Sequence, residues 1–121
     1  MASYTINVER GKEDGTLRFD GGGAHVSTTC WWDPDKKIPA ATYSGCSKTT
    51  MATKKNSSGG PREAIFFPSV PGFTGIFIHM GTSAAWSDGC IVIRESEFLK
   101  IYNAITPKGG KNVTVVVKDV E

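Results

Sequence analysis

The stretch GIFIHMGTSAAWSDGCIVI, residues 75–93, gives the clearest indication of the fold. Two apolar segments flank a loop of small and polar residues. Each segment has the length of a buried strand and is too short for a typical helix. His79 ends the first segment, and Cys90 begins the second. We therefore expect two strands that present an imidazole and a thiol at the two ends of one loop.

Further strand-like segments lie on both sides of this stretch and are separated by turn signals. They are rich in Val, Ile, Thr, Tyr and Phe and cover residues 4–8, 16–19, 25–30, 40–46, 63–67 and 113–117. The pair Asp14-Gly15 predicts a hairpin turn between the first two segments. The fourteen glycines and six prolines favour many turns over a helical bundle. The sequence therefore predicts a mainly β chain.

One helix is predicted in the C-terminal half. Ser96 can cap its N-terminus, and Thr106-Pro107 ends it. Its apolar residues share one face and are Phe98, Leu99, Tyr102 and Ile105. Residues 113–117 follow as a nearly continuous apolar strand, which we expect to be central in the sheet. The prediction is a single domain over residues 1–121, a small β-barrel or sandwich with this one helix.

Residues 47–62 differ from the rest of the chain in being polar and rich in Ser, Thr, Lys and Gly. We expect a long surface loop there, and loops of this length tend to be functional or mobile. The three cysteines form no C-x-x-C pair, which argues against a zinc ribbon or a thioredoxin motif. Cys30 and Cys46 could form a disulfide in an oxidising compartment, and the sequence leaves this open.

Charge and hydropathy argue against two classes of partner. The net charge of +2 lacks the strong basic bias of a nucleic-acid binder. The longest apolar runs fall far below the roughly 20 residues that span a bilayer, so no membrane insertion is expected. No basic region followed by an apolar one opens the sequence, so no signal peptide is expected. We therefore expect a chain made in the cytoplasm that needs a specialised secretion system for export.

Cys90 and His79 have the chemistry of a nucleophile and its base. A nearby imidazole favours the thiolate of a cysteine, whose pKa is otherwise about 8.5. Gly89 permits a sharp turn, so the amides of Gly89 and Cys90 can point toward one developing oxyanion. The alternatives are a buried cysteine that acts as a small hydrophobe and a core histidine. A zinc site with His25 is a further alternative, which no H-x-x-x-H or C-x-x-C spacing supports.

Two segments of the central stretch, IHMG and SDGCIVI, resemble the catalytic signature of the YkuD-like L,D-transpeptidases. The residues that match the signature are His79, Ser87, Gly89 and Cys90. The wider stretch 38–93 is similar to compact bacterial and phage members of this family. Some of those compact members are type VI secretion effectors that attack peptidoglycan.

The resemblance implies a cysteine-dependent L,D-transpeptidase or L,D-carboxypeptidase of peptidoglycan, without a metal or cofactor. Cys90 would attack the third residue of a tetrapeptide stem and form a thioester, with His79 as base and then acid. The Met80 carbonyl would orient the imidazole. The supporting residues of the turn and oxyanion site would be Ser87, Asp88 and Gly89. Candidate substrate contacts are Tyr43, Gly81 and Trp86, with the core as the alternative place for Tyr43.

The resemblance to compact effectors also implies partners and a place of action. Besides the stem peptides, an antibacterial effector would have an immunity protein and a secretion-system component as partners, and would act in the periplasm of target bacteria. Asp88 stands where the family usually has a histidine, and the loop from His79 to Cys90 is short. These departures motivate the alternative hypothesis of a catalytically inactive YkuD-like binding or structural module of phage or secretion-system origin.

Overall fold

The structure is a computed structural model, which describes residues 3–83 and 90–120. Its strands and helix are β1 (Tyr4–Arg10), β2 (Gly15–Gly21), β3 (Ala24–Trp31), β4 (Ala41–Lys55), β5 (Pro61–Phe66), β6 (Phe77–Met80), β7 (Ile91–Ile93), α1 (Glu95–Ala104) and β8 (Val113–Asp119). The strands close into a barrel in the order β1-β2-β3-β7-β6-β5-β4-β8. This confirms the prediction of a mainly β chain, and the barrel is the correct one of the two architectures expected.

The strand pairing places the central stretch of sequence within the barrel wall. β6 and β7 pair in parallel, as do β1 and β8. The other neighbours pair antiparallel. β6 and β7 therefore lie side by side between β5 and β3, with a pairing partner on both edges.

Alternate residues of the strands point into the barrel and form one apolar core. In β1, Ile6 and Val8 are fully buried, whereas Thr5 between Tyr4 and Ile6 is exposed. In β8 the buried residues alternate with half-buried ones. The apolar run in β8 is thus not buried on both faces, because only one face of a barrel wall meets the core. We call the face of the wall opposite the core the outer face.

Helix α1 packs an apolar stripe against the barrel. The stripe consists of Phe98 and Ile101, and Ile105, the C-cap that follows the helix, joins them in the core. The prediction of Ser96 as the N-cap is wrong, since the helix begins at Glu95 and its N-cap is Arg94, without a capping side chain. The acidic first turn, with Glu95 and Glu97, interacts favourably with the positive end of the helix dipole instead. Leu99 is half-buried and does not belong to the core.

The prediction of a long surface loop over residues 47–62 is wrong. β4 continues to Lys55 and pairs with β5, which leaves only residues 56–60 as a turn. The polar run is rich in threonine, whose branched Cβ suits a pleated strand. The side-chain oxygen of Asn56 closes the turn by accepting hydrogen bonds from the N–H groups of Ser58 (2.9 Å) and Gly60 (3.0 Å).

Candidate functional site

His79 lies on the outer face of β6, and Cys90 directly precedes β7, the strand that pairs with β6. Ile78 pairs with Ile91, and His79 pairs with Val92. Because the two isoleucines belong to the core, alternation turns His79 and Cys90 to the outer face. Cys90 precedes Val92 by two residues, so strand spacing puts the α-carbons of His79 and Cys90 about 8 Å apart. The structure thus places the two residues that the sequence singled out for chemistry at neighbouring strands, on the same face of the barrel wall.

The imidazole of His79 is held in one tautomer. Its Nδ1 atom lies 2.8 Å from the carbonyl oxygen of Met80. A carbonyl oxygen only accepts hydrogen bonds, so Nδ1 carries the proton and donates it to this bond. In the neutral ring, Nε2 is then unprotonated. The contact with Met80 therefore leaves His79 with a nitrogen that can accept a proton.

Burial lowers the pKa of His79 below its ordinary value of 6.5. The hydrogen bond to Met80 acts in the opposite direction, and the positive charges of Arg62 and Lys54 lower the pKa further. Both cations come from the β4–β5 hairpin, which borders β6. The ring is therefore neutral at pH 7, which is the protonation state that a general base needs.

Cys90 is buried, with 6% of its surface exposed. Its Sγ atom lies 3.9 Å from the carbonyl oxygen of Gly75, to which the thiol donates. Gly75 has a φ of +66°, a left-handed conformation that favours glycine. The loop that leads into β6, the strand next to β7, thus provides a carbonyl partner for the thiol.

The other two cysteines differ from Cys90 in their surroundings. Cys30 and Cys46 are fully buried in the apolar core as separate thiols, without the disulfide that the sequence left open. Burial raises the pKa of each thiol to about 12. Both therefore stay protonated at neutral pH, where a thiol is a poor nucleophile.

Other predicted site residues take different places. Trp86, Ser87, Asp88 and Gly89 lie outside the described residues. Gly81 is buried, and its N–H donates to the carbonyl oxygen of Ile93 at 2.8 Å, which extends the β6–β7 pairing.

Tyr43 belongs to the core rather than to the outer face. Its hydroxyl donates to the carbonyl oxygen of Pro39, and its ring lies 5.3 Å from the ring of Phe67. The structure therefore does not bring Tyr43 to the face that carries His79 and Cys90. The alternative given for Tyr43, a place in the core, is the observed one.

The sequence analysis missed an aromatic pair beside the site. The rings of Phe66 and Phe77 lie 5.4 Å apart, and the two residues pair across β5 and β6. Phe77 is two residues before His79, so the strand period of two places both side chains on the outer face. The same period, applied to the sequence, could have identified Phe77. The pair lines a groove of about 540 Å³ on this face.

The zinc alternative finds no support in the part of the chain that is described. His25 is exposed and pairs with Asp20, with Nδ1 and Oδ1 2.9 Å apart. No group of three or more His, Cys, Asp or Glu within residues 3–83 and 90–120 could hold a metal ion.

The described helix is also neither long nor apolar enough to cross a membrane.

Comparisons with known proteins identify a similar fold. No protein-family model matches the chain, and no curated protein matches its sequence. Among solved structures, the chain is similar to a mutant of the helical cell shape determining protein Pgp2 from Campylobacter jejuni, with a TM-score of 0.56 and 17% identity. The match covers 98% of this chain and 48% of that one, so the chain spans about half the length of Pgp2. At this identity the similarity shows the fold alone.

Proposed function

We propose that this chain is a cysteine-dependent enzyme of peptidoglycan, an L,D-transpeptidase or L,D-carboxypeptidase that acts on tetrapeptide stems. The observation that carries the proposal is the 2.8 Å contact between His79 Nδ1 and the Met80 carbonyl. It leaves Nε2 as a proton acceptor on the face that also carries Cys90. A nucleophile with its base on neighbouring strands is the minimum arrangement for acyl transfer.

Two further observations support the substrate class. The residues of the central stretch resemble the YkuD-like signature, whose members transfer acyl groups of peptidoglycan stems. The fold is similar to that of a protein named for determining helical cell shape. Because the peptidoglycan wall carries the shape of a bacterial cell, this similarity favours a wall substrate.

Acylation begins with a proton transfer from the Cys90 thiol to Nε2 of His79. The sulfur then attacks the carbonyl carbon of the third stem residue, and the carbonyl oxygen takes the negative charge. As the tetrahedral intermediate collapses, the C–N bond to the terminal D-alanine breaks. The imidazolium gives its proton to the leaving amine, and the acyl group stays on Cys90 as a thioester.

Deacylation reverses the roles of the two residues. A second amine, or water, attacks the thioester carbonyl while Nε2 accepts its proton. The sulfur leaves and takes the proton back from the imidazolium, which restores the thiol. An amine acceptor gives a crosslink or an exchanged D-amino acid, and water gives a trimmed tripeptide. The lowered pKa of His79 suits this cycle, because the imidazolium readily returns its proton to the leaving group.

The test is product analysis with tetrapeptide-containing muropeptides and mass spectrometry. We expect wild-type protein to remove or exchange the terminal D-alanine, and Cys90→Ala and His79→Ala to lose this activity. Cys30→Ala, which removes a thiol of the core, is the matched control and should keep the products. The same products from wild type and Cys90→Ala would disprove the proposal. No products from any form would favour the inactive module instead.

The proposal extends to an antibacterial effector that acts on the wall from the periplasm of a target cell. The similarity of the central stretch to compact effectors supports this extension. Expression of the chain with an added periplasmic leader should stop growth, whereas expression in the cytoplasm should not. Toxicity that persists in Cys90→Ala would contradict the extension.

A further inference from the structure

The groove on the outer face has two walls of different chemistry. One wall consists of Phe66, Phe77 and four residues of β4 (Ser47, Thr49, Thr50 and Met51), and the two rings with Met51 make it largely apolar. The other wall is the loop between α1 and β8, with Gly109 and Lys111. No acidic residue is among the described residues that line the groove. The groove therefore complements a peptide that carries negative charge.

Two hydrogen bonds donated by backbone N–H groups of the loop attach the loop wall to β4. The N–H of Gly109 donates to the carbonyl oxygen of Lys48 at 2.9 Å. The N–H of Lys111 donates to the hydroxyl of the buried Ser47 at 2.8 Å. The backbone at Lys111 is thus fixed, while its side chain is exposed at the groove.

Lys111 has a φ of +54°, in the left-handed region that residues other than glycine rarely adopt. Such a conformation persists only where the surroundings impose it, and it concentrates at ligand-binding sites. A second cation, Lys108, lies on the same loop, and its Nζ donates to Thr50 Oγ1 at 3.1 Å. The loop therefore holds positive charge at the rim of the groove.

The groove ends at Phe77 of β6, the strand next to the one that Cys90 precedes. Continuing the register of β6 and β7 places Phe77 opposite Cys90, so the apolar wall ends beside the nucleophile. From β4 to β7 there are three strand spacings, or about 14 Å in all. An extended peptide spans that distance with about four residues, at roughly 3.3 Å each.

We propose that this groove binds the acyl-donor stem as an extended peptide, and that Lys111 binds a carboxylate of that peptide remote from Cys90. This inference rests on the proposed function, since it takes the stem as the ligand. The candidate in a tetrapeptide stem is the carboxylate of the second residue, because the C-terminal carboxylate belongs to the residue that leaves when Cys90 attacks. Amidated peptides distinguish this carboxylate from the C-terminal one.

The test measures peptide binding without turnover, by calorimetric titration of Cys90→Ala. The probes are a tetrapeptide stem, the same peptide amidated on the second residue, and the same peptide amidated at the C-terminus. Lys111→Gln, added to Cys90→Ala, removes the charge at similar length, and Lys111→Arg restores it. Lys12→Gln, on the exposed β1–β2 turn, is the matched control for loss of one charge.

We expect Lys111→Gln to weaken binding of the unmodified stem about tenfold, the scale of a lost charge-assisted hydrogen bond. Lys111→Arg should bind normally, as should Lys12→Gln. When Lys111 is intact, the peptide amidated on the second residue should bind about tenfold more weakly than the unmodified stem does. Lys111→Gln should not weaken the binding of that peptide further. Equal binding by Lys111→Gln and Lys12→Gln, or no binding of any stem, would overturn the inference.

The outcomes separate this inference from the proposed function. If the wild-type chain turns over stems and Lys111→Gln does not change KM, the proposed enzyme function stands and the Lys111 subsite is disproved. If the chain binds stems in a way that depends on Lys111 but turns over none, the subsite stands and the proposed enzyme function is disproved. Thermal unfolding of each variant checks that the barrel is folded.

Discussion

The carbonyl oxygen of Met80, the residue after His79, lies 2.8 Å from Nδ1 of His79 and keeps the proton on that nitrogen. A general base also needs to be unprotonated at the working pH. Burial and the charges of Arg62 and Lys54 achieve this by lowering the pKa of His79, against the opposing effect of Met80. Tautomer and protonation state therefore have separate physical causes, and a substitution can change one without the other.

The pH dependence of the reaction follows from this pKa. Below the pKa of His79 the ring is protonated and cannot accept the thiol proton, so kcat/KM falls on the acid side. Because the pKa is lowered, this fall should begin below pH 6.5. Arg62→Gln removes a positive charge and raises the pKa of His79, so the fall should move to higher pH.

The measurement is kcat/KM between pH 4 and 8 for wild type and Arg62→Gln. Arg18→Gln, which removes an exposed arginine of β2, is the matched control and should leave the acid limb in place. An acid limb that moves to lower pH in Arg62→Gln, or that does not move, would contradict the role assigned to His79.

At the scale of elements, the turn between β2 and β3 packs against the end of α1. A Cβ atom added at Gly22 would lie 2.5 Å from the carbonyl oxygen of Ala104, closer than real Cβ atoms approach. Gly22 also has a φ of +55°. Its neighbour Gly23 has a φ of +84°, but a Cβ atom there would meet nothing within 4 Å. Close packing therefore requires glycine at the first position only.

This difference predicts the stability of two matched variants. Gly23→Ala should cost about 1–2 kcal/mol, the strain of a side chain in the left-handed region. Gly22→Ala should cost more, because the helix end must also move. Chemical denaturation of both variants measures the two free energies of unfolding, and equal losses would show that the contact with Ala104 does not matter.

Strand periodicity and the central motif were sufficient to predict most elements and the placement of His79 and Cys90 at two strands. The β4–β5 hairpin could not be predicted, because its polar threonines are typical of loops until a partner strand satisfies the backbone. The groove could not be predicted either. A hydrogen bond to the Ser47 hydroxyl holds the backbone of Lys111 at the groove, and the two residues lie 64 positions apart in the sequence. Contacts of that range depend on barrel closure, which no local pattern contains.

At the scale of the whole molecule, a buried cation joins three parts of the chain. Arg10 is 1% exposed at the end of β1. Its Nε donates to Asp119 Oδ1 of β8 at 2.8 Å, and its Nη1 donates to the carbonyl oxygen of Ile38 at 2.7 Å. The guanidinium carbon also lies 6.0 Å from the ring centroid of Trp32. Arg10 therefore ties the β1–β8 pair to the segment before β4.

Acid should weaken this connection at a defined pH. Partial burial raises the pKa of Asp119, but the hydrogen bonds and charges of Arg10 and Lys37 outweigh burial and lower it below 3.8. The ionised Asp119 therefore stabilises the fold fully at pH values above 3.8, the ordinary pKa. This stabilisation is lost as the pH falls through the lower pKa of Asp119 in the folded state.

Asp119→Asn should lower stability at pH 7 by about 1 kcal/mol, since the carboxylate is partly exposed. It should also show a smaller loss of stability than wild type as the pH falls below 4. Urea denaturation at pH 7 and at pH 3 measures both effects. Asp35→Asn, at an exposed position, is the control. A variant whose stability follows pH as steeply as that of wild type would refute the assignment.

A thioester on Cys90 is the intermediate that the proposed mechanism requires, and the mass of the intact protein reports it most directly. We predict that wild-type protein, quenched in acid within the first turnover of a tetrapeptide stem, carries one tripeptidyl group on Cys90 for each D-alanine released. His79→Ala should carry none. Release of D-alanine with no adduct on wild type, or an equal adduct on Cys90→Ala, would contradict the mechanism.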